Sequence, residues 1–127
     1  MQFAYTILYV ENVATTLDFY VRAFGLTLKF LHEGGDYGEL ETGSTRLAFS
    51  SRALMQQLGK NPAAASASAP CFEIAFTTDD VSAAVQRATD AGAQLIQAPK
   101  AMPWGQTMAY VADDNGFLIE LCTPMHA

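Results

Sequence analysis

The feature that most constrains this chain is that its pattern starts twice. FAYTILYVE (3–11) is rich in aromatic and β-branched side chains and reads as a strand. Asn12 then caps a helix with Val13, Leu17, Tyr20, Val21 and Phe24 at near-helical spacing, and Gly25 closes it. CFEIAFT (71–77) is a second strand, with Phe72, Ile74 and Phe76 on one face and Glu73, Ala75 and Thr77 on the other. Asp79 or Asp80 caps a second helix, with Val81, Ala84, Val85, Ala88 and Ala91 on its apolar face, and Gly92 closes it. An offset of 68 places Tyr5 on Glu73, Asn12 on Asp80, Val13 on Val81 and Leu17 on Val85.

Each start is followed by three strands. In the first half they are expected at Thr27–His32, Tyr37–Glu41 and Thr45–Ser50, separated by the Gly34-Gly35-Asp36 and Thr42-Gly43-Ser44 turns. In the second half they fall at Gln94–Gln97, Thr107–Ala112 and Phe117–Thr123. The order βαβββ, met twice, predicts an internally duplicated α+β domain. Its modules are 1–51 and 70–127, joined by a connector at 52–69. The connector opens on about two helical turns that Gly59 ends, then runs into AAASASAP, small residues with little to bury, expected to cross the surface. A length of 127 residues suits one such domain.

Composition narrows the partners. A net charge of −6 with no basic block argues against nucleic acid. No apolar run has the length to cross a bilayer, and no cationic leader precedes the first strand, so a cytoplasmic protein is expected. Cys71 and Cys122 lack any metal or redox spacing and are expected to be buried free thiols. No Gly-x-Ser-x-Gly elbow and no Gly-rich phosphate cradle is present.

One charge stands out. In the last strand Leu118, Glu120 and Cys122 alternate with Phe117, Ile119 and Leu121, so both faces are largely apolar and Glu120 is costly unless it meets a partner or a cavity. Alternation puts Tyr5, Glu73 and Glu120 on the faces away from the helices. Two readings of the carboxylates are open. They act as a cation-binding or general-base pair, or they are structural, paired with Arg46, Lys29, Lys100 or a backbone amide. His32, at a strand end, and His126, near the C-terminus, are expected to be ordinary polar residues.

Three stretches, YVENVATTLDFYVRAFGL (9–26), FEIAFTTDDV (72–81) and PWGQTMAYVADDNGFLIEL (103–121), resemble the glyoxalase, bleomycin-resistance and extradiol-dioxygenase superfamily (vicinal oxygen chelate fold). The resemblance implies two βαβββ modules forming a curved mixed sheet around a cleft, as a homodimer. Members with a metal place ligands at positions that correspond here to Tyr5, Ala48, Glu73 and Glu120. Alanine cannot coordinate and tyrosine is a rare ligand for divalent ions. The expectation is therefore a metal-free small-molecule binder similar to bleomycin-resistance proteins, without cofactor. It would hold a planar or cationic compound against Tyr5, Tyr9, Phe49, Trp104, Met108 and Tyr110, with Glu73 and Glu120 as the acids. The alternative is a glyoxalase-like lyase, isomerase or dioxygenase that holds a divalent ion with Glu73 and Glu120.

Overall fold

A computed structural model describes residues 1–125 and divides them, with the end of the chain, into two compact units, Met1–Ala64 and Ala65–Ala127. The first unit contains β1 (Tyr5–Val10), α1 (Val13–Phe24), β2 (Thr27–Leu31), β3 (Tyr37–Glu41), β4 (Arg46–Ser51) and α2 (Arg52–Gln57). The second contains β5 (Glu73–Thr77), α3 (Val81–Asp90), β6 (Gln94–Ala101), β7 (Thr107–Ala112) and β8 (Leu118–Cys122). Each half has the expected βαβββ order. Each sheet is mixed: β1-β4-β3-β2 in one and β5-β8-β7-β6 in the other, with the first strand parallel to the last and the rest antiparallel.

The helix boundaries follow from their caps. The Asn12 side chain accepts the Thr15 amide at 3.0 Å, and Asp80 accepts Ala83 at 3.0 Å. Gly25 takes φ +70° and donates to the Val21 carbonyl. The buried stripe of α1 is Val13, Thr16, Leu17, Phe19, Tyr20 and Ala23, rotated toward Phe19 from the expected face. The Thr16 hydroxyl donates to the Asn12 carbonyl at 2.8 Å, which lets a polar residue enter that stripe. The helix rests close on β3: a Cβ at Gly38 would lie 2.5 Å from Leu17 Cδ1.

Two local expectations are corrected. β6 runs to Ala101 instead of ending at Gln97. Register shifts between Leu95 and Gln97, and again before Lys100, break the apolar alternation, and Pro99 is tolerated because β6 is an edge strand. Cys122 is buried, but Cys71 is exposed, because β5 begins only at Glu73 and leaves Cys71 outside the sheet. His32 is exposed and its ring meets those of Phe30 and Tyr37, whereas His126 lies outside the described residues. No helix among the described residues is long and apolar enough to cross a membrane.

Candidate functional site

Strand register makes the two modules comparable position by position. In the first, Ile7 pairs with Ala48, which pairs with Glu39. In the second, Ala75 pairs with Glu120, which pairs with Tyr110. Ala48 and Glu120 are thus equivalent, as are Tyr5 and Glu73, each two residues earlier on its strand.

In the second module the face opposite α3 carries Glu73, Glu120, Tyr110, Met108 and Cys122. β8 is buried on both sides, as expected, and Glu120 is only 8% exposed, whereas Glu73 is exposed at the start of β5. The Tyr110 hydroxyl donates to Glu120 Oε1 at 3.0 Å. Burial, the hydrogen bond to Glu120 and the charges of Glu120 and Glu73 push the Tyr110 phenol up to about 12, so it remains a donor at neutral pH. Burial, with the same two carboxylates, also raises the Cys122 thiol, which keeps it protonated and a poor nucleophile. Among the described residues neither Glu73 nor Glu120 has an ion-pair partner. Of the cations expected to neutralise them, Lys29 instead lies beside Glu39.

Trp104 sits in the turn before β7. Its indole N–H donates to Gln106 Oε1 at 2.8 Å, and the buried Gln106 donates in turn to the Thr123 carbonyl at 2.8 Å. Trp104 is 58% exposed as a residue while its indole N–H is held by Gln106. Gln106 was not visible as a site residue in the sequence, since a glutamine between a tryptophan and a strand has no distinctive spacing.

The first module is built differently. Tyr5, Ile7 and Tyr9 share the β1 face opposite α1, and Tyr5 is 43% exposed. Tyr9 is half-buried, with Lys60 Nζ 3.3 Å from its hydroxyl and 5.6 Å from its ring centroid, so a cation of the chain already occupies it. Phe49 does not belong with these residues. It is fully buried on the α1 side, its ring centroid 5.0 Å from that of Tyr20, because its parity is opposite to that of Ala48. On β3 the Tyr37 hydroxyl donates to Glu39 Oε2 at 2.8 Å, and Glu39 is 6% exposed. Burial, that hydrogen bond and the Glu39 charge raise the Tyr37 phenol well above its ordinary value, with the Arg46 charge opposing them. Glu39 was missed in the sequence. Counting outward from the Thr42-Gly43-Ser44 turn would have placed it opposite Ala48.

A separate cavity of about 740 Å³ lies within the second unit, lined by residues including Ser66, Ser68, Gln94, Ile96, Asp113 and Asp114. The connector forms one wall of it, resting so closely on the β7–β8 turn that a Cβ at Gly116 would strike the Ala65 carbonyl. None of the expected site residues lines this cavity.

A model of the Glyoxalase/Bleomycin resistance protein/Dioxygenase superfamily matches residues 2–121. The chain belongs to this superfamily. A glyoxalase-related enzyme from Fulvimarina pelagi superposes with a TM-score of 0.83 at 22% identity, over 98% of this chain and 88% of that one. A family enzyme from Burkholderia phytofirmans PsJN gives 0.77 at 22%, over 97% and 98%. TioX from Micromonospora sp. ML1 gives 0.74 at 23%, over 97% and 98%. At these identities the likeness shows the fold alone. No curated protein matches the sequence.

The superfamily implies a metal, and the donors can be tested against it. The second module offers two carboxylates, one already accepting the Tyr110 hydrogen bond, while the matching positions of the first offer a phenol and a methyl group. No group of three or more His, Cys, Asp or Glu among the described residues could hold an ion. This donor set does not fit the superfamily's metal.

Proposed function

We propose that this protein binds a small, planar, cationic compound without a metal, and that Glu120 is the acid that receives the cation. The observation that carries this reading is a nearly buried carboxylate with one tyrosine donor and no cation of its own among the described residues. Charge buried in this way is costly until a donor of opposite charge completes it. Glu73 beside it adds to the negative field, and the exposed Trp104 suits a flat ligand in the same module.

The test is quenching of Trp104, the chain's single tryptophan, by a panel of cationic aromatic compounds. Saturable, salt-sensitive quenching is expected. Glu120→Gln should weaken it roughly tenfold or more, as loss of a charge-assisted hydrogen bond does. Silence across the panel from a folded protein overturns the reading. A stoichiometric divalent ion lost in Glu120→Gln would favour metal-dependent lyase, isomerase or dioxygenase chemistry instead. A homodimer is part of the same proposal, supported by the exposed apolar side chains Phe3 and Ile7 and checked by light scattering.

A further inference from the structure

The least satisfied polar group described in the chain belongs to the first module. Glu39 Oε1 is buried and has no hydrogen-bond partner, while Oε2 of the same carboxylate accepts Tyr37. The nearest cation, Lys29 Nζ, stands 3.9 Å from Oε1, within ion-pair range but too far for a hydrogen bond. A carboxylate with an orphaned oxygen is expensive to keep, because the lost hydration is not replaced. Its place in the register adds to this. Glu39 pairs with Ala48 as Tyr110 pairs with Glu120, so an acid stands one strand away from the position where the first module lacks one. Both modules therefore present a hydrogen-bonded tyrosine–glutamate pair on the face opposite the main helix, at 2.8 Å in one and 3.0 Å in the other.

We propose that the Tyr37–Glu39 pair is a second recognition point, for a ligand ammonium group, and that Lys29 is the tethered cation it displaces. Tyr37 fixes one carboxylate oxygen and leaves the other for an incoming N–H donor. Lys29 can leave because its side chain is 34% exposed and its strand lies at the sheet edge. A primary ammonium has the charge and the proton that Oε1 lacks, and the exposed Tyr5 ring on the same sheet face offers an apolar surface for an attached aromatic group. The site does not depend on Glu120.

Benzylammonium is the probe, with benzyl alcohol as the neutral control, read by carboxyl carbon NMR on protein labelled at glutamate. Glu39→Gln identifies the Glu39 signal and Glu120→Gln the Glu120 signal, and Glu39→Asp replaces the former if it does not fold. The Glu39 signal should move saturably with benzylammonium, hardly move with benzyl alcohol, and keep its response in Glu120→Gln. Lys29→Met, which removes a weak competing ion pair, should tighten this response about two- to fivefold. A Glu39 signal that stays still in both the wild type and Lys29→Met overturns the proposal. So does a Lys29→Met variant that binds no better than the wild type. Movement at Glu39 without movement at Glu120, together with silence of Trp104 across the cationic panel, would overturn the Glu120 reading and leave this one standing.

Discussion

The two modules share topology, most of their strand register and their helix N-caps, yet they carry their acids differently. In the second, Glu120 lies on the last strand, reaches across to Tyr110 and keeps no cation. In the first, the last strand carries Ala48, and Glu39 on the neighbouring strand takes its hydrogen bond from Tyr37 two residues away, with Lys29 nearby. A duplicated fold keeps its backbone because the sheet ladders and the helix docking demand it. The polar groups on the opposite face are not so bound, and they can move to a paired strand while staying in the same row.

The largest effects are expected at Phe49 and its counterpart Leu121, which pair with Leu8 and Phe76 in equivalent positions. Both are core residues, 0% and 2% exposed. Phe49→Ala should cost about 3–5 kcal/mol and Leu121→Ala about 2–5 kcal/mol in chemical denaturation. A Phe49→Ala variant of normal stability but impaired ligand binding would return that residue to the site.

Next come the tyrosines. Tyr37→Phe removes the hydrogen bond to a carboxylate whose other oxygen has none, and should cost roughly 1–3 kcal/mol. Tyr110→Phe should cost less, roughly 0.5–1.5 kcal/mol, because neither Glu120 oxygen is a buried orphan. Equal losses would mean that the two pairs are energetically alike.

The same phenols give a pH signature. Both folded-state values lie above the unfolded value near 10, so each phenol's contribution to stability is present below about pH 10 and is lost as pH rises through the folded value. Tyr110 should ionise at about 12, and Tyr37 later, as seen in tyrosinate absorbance. In Tyr110→Phe the fall in stability across this range should be shallower. Thiol labelling offers a simpler contrast between surface and core: Cys71 should react readily in the native protein and Cys122 only on unfolding.

Effects as small as that of Tyr110→Phe are expected at the caps. Asn12→Ala and Asp80→Ala should each cost about 1 kcal/mol, since both side chains accept an amide at 3.0 Å. A clear inequality between them would show that the modules differ in their helices as well as in their polar faces.

Ala48 as an empty ligand position comes from the resemblance to the superfamily, whereas the duplication, the helix N-caps and the parity of Glu73 and Glu120 are readable from the residues. Each depends on interactions within a few positions or on the two-residue period of a strand. The expectation that Phe49 lines a ligand wall fails although its parity is visible in the sequence, because an aromatic residue next to a ligand position invites a functional reading. Gln106 depends on which loop lies alongside, and the burial of both Glu39 and Gln106 follows from packing rather than from spacing. Whether an acid has a cation was likewise undecidable from the sequence: Lys29 was one of several cations available to Glu73 or Glu120, and only the fold brought it to Glu39. Local pattern places Glu73 and Glu120 on one face of their strands. Which of the carboxylates are neutralised depends on side-chain distances that the two-residue period does not fix: Lys29 comes close to Glu39 across one hairpin, and no cation pairs with Glu120 among the described residues.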